Sequence, residues 1–294
     1  MKTLIRSDSS STIGVGHIMR DLVLAKQLED QEDGDISFAC QALEGNILAT
    51  IPYTITILRT NEPSELIALI KSLHVELLII DHYGIDATFE KKVKEATGVK
   101  ILSFDDTYEP HHCDILLNHN VCADEKRYTG LVQKECKLRC GSAYTLIRDE
   151  FREEKNIARE KIYDLFVAMG GADITNITLP ILKTLPKSYH VSVLTTSANA
   201  HLVELETFVK ENANISLHVN SKEVAKLLHQ SKLAIVTPSV MVHEVLFMEV
   251  PFIAIKTAPN QDDMYSYLKK NKKIVLEKFE PILFKESLKL CSLL

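Results

Sequence analysis

The chain has 294 residues, of which 46% are hydrophobic and 25% are charged, so it is long enough for two globular domains with separate cores. A formal net charge of −6, without a basic tract that carries interleaved aromatic residues, argues against nucleic acid as a partner. No apolar run approaches the roughly 20 residues of a membrane span, and charge from Lys2 onward argues against a signal peptide. We therefore expect a cytoplasmic protein without stable membrane association.

The six cysteines give no indication of a metal site. None of them forms a CxxC pair, and their spacing does not match the common zinc motifs. We therefore expect reduced thiols and no bound metal.

A loop rich in serine and glycine, residues 6–20, carries the strongest functional pattern in the chain. A short apolar run before it predicts a first strand, and apolar residues at helical spacing follow it. Ligands bind at such strand-to-helix loops in open α/β sheets. Gly14 and Gly16 let the backbone approach a ligand closely. His17 lies near the helix start, where the positive end of the helix dipole favours the neutral imidazole that a general base requires.

Simpler interpretations of this loop stay open. A Ser/Gly loop before a helix is often only a loop with an N-cap, and the glycines lack the third member of a dinucleotide fingerprint. A single histidine is more often structural than catalytic. The concentration of Asp8, Gly14, Gly16, His17 and Arg20 in one loop raises the weight of the catalytic interpretation.

Strand and helix patterns alternate through the first half of the chain. The strands are predicted at 36–40, 54–58, 76–80, 100–104 and 114–118, and the helices at 63–73 and 86–96. The continuous apolar run at 76–80 is typical of a central parallel strand that is buried on both faces.

Polar residues follow three of these predicted strands. They are Asp81, His82 and Tyr83; Asp105 and Asp106; and Asn118, His119 and Asn120. Because the carboxyl ends of parallel strands lie at one edge of a sheet, these residues can face the His17 loop. The alternative is that Asp and Asn simply start turns. We favour that alternative for Asn118 to Asn120 and leave both interpretations open for Tyr83.

A highly charged segment at 149–161 is interpreted as a solvated helix or linker. We therefore place the boundary near 155–160, between a first domain at 1–155 and a second at 160–294. A second alternating series follows, with strands predicted at 163–169, 190–195, 215–219, 232–236 and 251–255 and with helices between them. The polar loop 257–263 after the last of these strands is expected to face the ligand.

Three positions of the second half suggest a nucleotide site. Gly170 and Gly171 lie between a predicted strand and a predicted helix start, where free N–H groups and the helix dipole favour a phosphate. Ser239 suits another helix start. Glu244 lies on an otherwise apolar helix, where a carboxylate needs a partner or a ligand, such as two ribose hydroxyls. A surface-facing Glu244 is an equally good interpretation.

Several of these motifs together resemble the UDP-2,4-diacetamido-2,4,6-trideoxy-β-L-altropyranose hydrolases of pseudaminic acid biosynthesis. The resemblance is carried by the Arg6–Arg20 loop, Ile79–Gly84, Met169–Gly171 and Asn260–Gln261. The C-terminal segment 278–294 lies outside it. The resemblance implies a GT-B-like α/β fold of two Rossmann-like domains that face each other across a cleft. That fold is similar to the one found in the glycosyltransferase that completes the lipid-linked peptidoglycan precursor.

The resemblance also implies roles for individual residues. His17 faces the anomeric carbon as the catalytic base, with Tyr83 and Asn260 close by. Glu244 binds the ribose of UDP, which the second domain holds. The remaining residues of the implied substrate site are Asp8, Gly14, Gly16, Arg20, Gly170, Gly171, Ser239, His243 and Gln261.

The implied reaction is attack of water at C1 of the UDP-linked sugar, with inversion and release of UDP. His17 removes the proton from water, and helix N-termini hold the diphosphate. No DxD motif stands at a strand end, so we expect neither a metal nor another cofactor. Two alternatives stay open, a GT-B glycosyltransferase with a sugar or lipid acceptor in place of water and a non-enzymatic sensor of nucleotide sugars.

Overall fold

In the computed structural model, which describes residues 1–32 and 34–291, each half of the chain forms a parallel β-sheet with helices packed on it. The two compact units are Met1–Leu146 and Ile147–Leu294. The alternating apolar pattern of the sequence therefore produces the α/β architecture that it predicts.

The sheet of the first unit has seven strands in the order β3-β2-β1-β4-β5-β6-β7. They are β1 (Lys2–Ser7), β2 (Asp35–Gln41), β3 (Thr54–Leu58), β4 (Leu77–Asp81), β5 (Lys100–Phe104), β6 (Ile115–Asn118) and β7 (Lys137–Cys140). The order reverses between β1 and β4, and ligands of open α/β sheets bind at the carboxyl ends of the strands that flank such a reversal. The loops after β1 and β4 hold that position here.

The helices of the first unit cover both faces of its sheet. They are α1 (Gly16–Glu32), α2 (Pro63–Leu73) and α3 (Ala87–Thr97). Leu4 and Leu78 belong to the apolar cluster of α2 and α3, while Ile5 and Ile79 belong to the cluster of α1. Since successive side chains of a strand point to opposite faces, the near-continuous apolar strands of this unit supply both cores.

The sheet of the second unit has six parallel strands in the order β10-β9-β8-β11-β12-β13. They are β8 (Tyr163–Ala168), β9 (Val191–Thr195), β10 (Ile215–Val219), β11 (Ser231–Val236), β12 (Phe252–Ile255) and β13 (Ile274–Leu276). The helices are α4 (Asp149–Lys155), α5 (Thr178–Thr184), α6 (Leu202–Lys210), α7 (Val224–His229), α8 (Val240–Phe247), α9 (Asp262–Lys270) and α10 (Pro281–Cys291). Its strand order reverses between β8 and β11, so the loops after these strands hold the corresponding position.

The charged segment at 149–161 is not a free linker. It contains α4, whose Phe151 is fully buried. Glu154 of this helix accepts hydrogen bonds from Arg159 and lies 3.2 Å from His229 Nδ1 on α7. Because α4 packs within the second unit, the division of the chain falls between Leu146 and Ile147, before the position that the charge pattern suggests.

Two further properties of the described residues concern the cysteines and the helices. None of the six cysteines is joined in a disulfide. No helix within 1–32 or 34–291 combines the length and the apolar character that crossing a membrane requires.

Candidate active site

The start of α1 brings His17 against the carboxylate that ends β4. His17 is the second residue of α1, as predicted, and its Nδ1 lies 2.6 Å from Asp81 Oδ1. Both side chains are buried. Since Asp81 is an anion in these surroundings, Nδ1 carries the proton that it shares with the carboxylate. With the proton on Nδ1, Nε2 is the nitrogen that can accept a proton, the arrangement of a general base held by a carboxylate partner.

Arg20 lies one turn after His17 on α1 and neutralises the carboxylates around it. Its Nε and Nη2 donate to the two oxygens of Asp81, each at 2.6 Å, and its Nη1 donates to Asp106 Oδ2 at 3.1 Å. Burial by itself raises the pKa of Asp81, but the charge and hydrogen bonds of Arg20 hold that pKa well below its usual range. In this structure the donors of Arg20 bind the protein's own carboxylates, and its contact with substrate stays a prediction.

Tyr83 forms the exposed side of this cluster. Its ring meets the ring of His17 edge-on at 4.7 Å between centroids, and its hydroxyl donates to Asp106 Oδ1 at 2.9 Å. The side chain is nevertheless 64% exposed. Partial desolvation of the hydroxyl and the neighbouring Asp106 raise the pKa of Tyr83 to about 12, so the phenol keeps its proton at neutral pH. The polar residues after β4 and Asp106 after β5 thus contact the His17 loop, as predicted, whereas Asp105 accepts hydrogen bonds from Thr107, Tyr108 and Tyr128 instead.

Asp8 is a buried anchor whose oxygens already bind several donors. Arg6 donates to both of them, at 2.7 and 2.8 Å, and the backbone N–H of Gln41 donates to Oδ1 at 2.7 Å. His82 Nε2 lies 3.1 Å from Oδ2. Burial opposes ionisation, but the hydrogen bonds from His82 and Arg6 hold the pKa of Asp8 well below its usual range. Asp8 therefore joins β1, β2 and the loop after β4, and its contact with substrate stays a prediction.

The two glycines of the loop leave its backbone accessible. Gly14 has φ of +85°, a left-handed conformation that other residues rarely adopt, and a Cβ at either Gly14 or Gly16 would meet no heavy atom within 4 Å. The N–H of Gly14 donates to the carbonyl of Ser10 at 2.9 Å and closes the turn. A ligand can thus reach this backbone without displacing other groups.

In the second unit, Gly170 and Gly171 follow β8 but do not begin a helix. The helix start expected directly after them is wrong, because α5 begins only at Thr178 and the Asp173 carboxylate accepts from the N–H of Thr178 at 3.0 Å. Gly170 has φ of +85°, and a Cβ at Gly171 would lie only 2.9 Å from a methyl carbon of Thr196. Only glycine fits both positions without strain, and their contact with a diphosphate stays a prediction.

The helix start predicted at Ser239 is confirmed. Ser239 precedes α8 without a side-chain cap hydrogen bond, and its hydroxyl instead bonds with that of Thr237 at 2.9 Å. The first amides and the positive dipole end of α8 can therefore serve an anion. His243 on the same helix is buried, and burial lowers its pKa to about 4, so it is neutral at physiological pH.

Glu244 is buried at 4% exposure, which excludes the surface-facing interpretation. Nε and Nη2 of Arg148 both lie 2.8 Å from Glu244 Oε1 and form an ion pair with it. Burial raises the pKa of Glu244 to about 7, and Arg148 opposes that rise. The carboxylate that the sequence singles out therefore has a partner, which the sequence did not indicate.

Asn260 and Gln261 lie in the single turn of 3-10 helix, Pro259–Gln261, after β12. Gln261 Oε1 accepts from the N–H of Thr257 at 2.8 Å, and its Nε2 donates to the Thr257 hydroxyl at 3.2 Å. Gln261 thus shapes the turn that exposes Asn260. Contact of either residue with substrate stays a prediction.

Asp81 is the main site residue to which the sequence analysis gave no role. It appeared only as one of the polar strand ends, although its place after a wholly apolar strand is the pattern that could have identified it. Within the part of the chain that the structure describes, no group of three or more His, Cys, Asp or Glu side chains is arranged to hold a metal ion.

Comparison with curated proteins gives one strong match. The UDP-2,4-diacetamido-2,4,6-trideoxy-β-L-altropyranose hydrolase of Campylobacter jejuni is 49% identical, over 92% of this chain and 97% of that protein. An uncharacterized protein of Methanocaldococcus jannaschii is 26% identical, over 92% of this chain and 59% of its own length. No family model matches the chain.

Solved structures with a similar fold are glycosyltransferases of the GT-B type. MurG of Acinetobacter baumannii has a TM-score of 0.64 at 15% identity, over 100% of this chain and 92% of its own. The spinosyn rhamnosyltransferase SpnG has a TM-score of 0.67 at 13% identity, over 99% of this chain and 92% of its own. At such identities the likeness shows the fold alone, and the predicted GT-B-like fold is confirmed.

Proposed function

The chain belongs to the family of the UDP-2,4-diacetamido-2,4,6-trideoxy-β-L-altropyranose hydrolase, and on that basis we propose that it catalyses the same reaction. Water replaces UDP at C1 of the sugar, and the products are UDP and the free sugar with inverted anomeric configuration. The observation that carries this proposal is the 49% identity to a hydrolase over nearly the whole of both chains. The His17–Asp81 pair supplies the group that such a reaction needs.

In the proposed mechanism, Nε2 of His17 takes a proton from the attacking water. Asp81 accepts the Nδ1–H of His17, so the base keeps one orientation and one tautomer. As the imidazolium forms, its positive charge develops beside the Asp81 carboxylate, which stabilises it. Arg20 and Asp106 remain paired with this centre and keep its total charge small.

The departing diphosphate carries the negative charge of the broken C1–O bond. We assign its stabilisation to the second unit, where the uncapped start of α8 offers amides and a dipole end. Glu244 would accept hydrogen bonds from the ribose hydroxyls. Attack on the face opposite UDP is a single displacement and gives inversion, as in inverting glycosidases.

A glycosyltransferase of the same fold is the second candidate, because a base such as His17 can take a proton from an acceptor hydroxyl as well as from water. The two functions differ in the acceptor. A hydrolase releases UDP in buffer that contains only the UDP-sugar, whereas a transferase needs a sugar or lipid acceptor for comparable turnover. A sensor without activity releases no UDP under either condition.

The decisive experiment uses water enriched with heavy oxygen. The UDP-linked diacetamido-trideoxy sugar is hydrolysed in this water, and mass spectrometry of both products locates the oxygen label. NMR identifies the sugar anomer that forms first. We expect the label in the sugar, unlabelled UDP and an inverted anomer. Label in UDP would mean attack at phosphorus and would overturn the mechanism. Loss of activity with a chelator, restored by magnesium, would contradict the metal-free form of the proposal.

Replacing Glu244 with alanine tests the ribose contact. We expect Glu244→Ala to weaken UDP affinity by roughly 1.5–3 kcal/mol, the scale of a lost hydrogen bond to a charged group. Titration calorimetry with UDP measures this directly. Unchanged affinity would leave Glu244 as only the partner of Arg148.

The pH dependence of UDP binding tests the same contact in a second way, with Glu244→Gln as the matched control. Glu244 has its pKa raised to about 7, so it is protonated below that pH and accepts ribose hydrogen bonds less well. UDP binding should therefore weaken as pH falls through 7. UDP itself titrates in this region, and Glu244→Gln keeps that contribution while it removes the carboxylate. The pH dependence should be smaller in Glu244→Gln than in the wild-type protein.

A further inference from the structure

The carboxyl group of Asp21 is buried beside the catalytic pair, and the mechanism above does not use it. Asp21 lies on α1, one helical turn after His17, and its side chain is 0% exposed. The polar groups that act on it most strongly besides Arg20 are the Ser7 hydroxyl at the end of β1 and the Asp81 carboxylate at the end of β4. A fully buried carboxyl group at this position requires a physical explanation, because an uncompensated buried charge is costly.

An ionised Asp21 would be poorly stabilised at this position. Among the described residues, neither of its oxygens receives a hydrogen bond of acceptable geometry. The nearby guanidinium of Arg20 is bound to Asp81 and Asp106. Burial and the negative charge of Asp81 raise the pKa of Asp21 well above its usual range. Burial without a hydrogen-bond donor beside Asp81 therefore favours the neutral carboxylic acid over the anion.

A neutral acid at this place has an acceptor within reach. Its O–H can donate to Asp81, and an O–H donor to a carboxylate forms one of the stronger hydrogen bonds in proteins. Such a bond would fix the orientation of the carboxylate and lower its affinity for a proton. The proton on His17 Nδ1 would then remain on the imidazole.

We propose that Asp21 is a positioning residue, which as a neutral acid donates a hydrogen bond to Asp81 and thereby holds His17 in the orientation and tautomer of the base. This inference rests on the proposed function, since it assigns Asp21 a role only through His17. It makes no claim that Asp21 touches substrate. Its consequences are therefore expected in turnover and not in substrate binding.

Two replacements of similar size test whether Asp21 acts on Asp81 as a hydrogen-bond donor. Asp21→Asn keeps an N–H donor toward Asp81, whereas Asp21→Leu removes it. We expect Asp21→Leu to lower kcat about tenfold or more with KM within about threefold, and Asp21→Asn to recover most of this loss. Asp30 on the same helix is 60% exposed, and Asp30→Asn and Asp30→Leu are matched controls that should not change kcat.

Infrared spectroscopy tests the acid without relying on turnover. The wild-type protein at neutral pH should show the C=O stretch of a carboxylic acid that the Asp21→Asn protein lacks. The absence of that difference band would overturn the inference, and so would an Asp21→Leu protein that is folded by thermal melting and keeps its full kcat. If Asp21→Asn is as slow as Asp21→Leu, the group acts as an anion and the inference is also wrong. A wild-type protein that releases no UDP would instead refute the proposed function itself.

Discussion

A His17→Leu variant is expected to hydrolyse the UDP-sugar about two to four orders of magnitude more slowly than the wild-type protein, the usual contribution of a general base. Leucine removes Nε2 and also leaves Asp81 without its imidazole partner. The affinity for UDP should barely change, because the residues that we assign to the nucleotide belong to the second unit. Steady-state kinetics of UDP release gives kcat and KM, and calorimetry gives the affinity for UDP.

A matched histidine variant distinguishes loss of the base from a general effect of the substitution. His190 has an exposed side chain in the second unit, 3.7 Å from Asp164, and it has no part in the proposed mechanism. His190→Leu should therefore keep normal turnover. If His17→Leu also turns over at a near-normal rate, His17 is not the base, and the proposed mechanism loses its central group.

The strands of both sheets could be predicted where burial and sequence pattern agree. The run that forms β4 is apolar until its last residue, Asp81, because this strand is central in its sheet and covered on both faces. Such a short, continuous apolar run is typical of a buried parallel strand, and it was predicted as one. The edge strands β7 and β13 were not predicted. β13 has only three residues and follows a lysine-rich turn, and so short an apolar run carries no detectable period.

Helix starts were predictable only where the residues at the start settle the conformation. Pro238 and Ser239 precede α8 directly, and the prediction there is confirmed. The paired glycines after β8 suggested a start in the same way. Gly170 permits a left-handed conformation that lengthens the loop, and the capping carboxylate of Asp173 comes after it. A glycine pair is compatible with both outcomes, so the sequence could not distinguish them.

The candidate site was predictable in its positions and not in its pairings. Alternation places His17 and Asp81 after the carboxyl ends of parallel strands, which is enough to expect that they can face each other at one edge of the sheet. The ion pair of Arg148 with Glu244 joins residues 96 positions apart, and no period in the sequence relates them. The partners of Arg20 were likewise not predicted. Its position in the loop suggested a contact with a ligand, whereas in the structure it donates hydrogen bonds to the carboxylates of Asp81 and Asp106. Partners over such separations are set by tertiary packing and not by local pattern.

An Asp81→Asn variant is expected to lower kcat by about two to four orders of magnitude, a loss comparable to that of the base itself. The amide can donate to Nδ1 where the carboxylate accepts from it, so the imidazole is free to adopt the tautomer whose Nε2 carries a proton and cannot accept one from water.

The Asp81→Asn variant also leaves Arg20 with one carboxylate partner fewer in a buried place, and the melting temperature should fall. Asp164→Asn is the control and should keep normal kcat, because Asp164 pairs with Lys232 in the second unit and has no part in the proposed mechanism. Steady-state kinetics and thermal melting of both proteins measure these effects. An Asp81→Asn protein with a lowered melting temperature and normal kcat would show that Asp81 stabilises the fold without orienting the base.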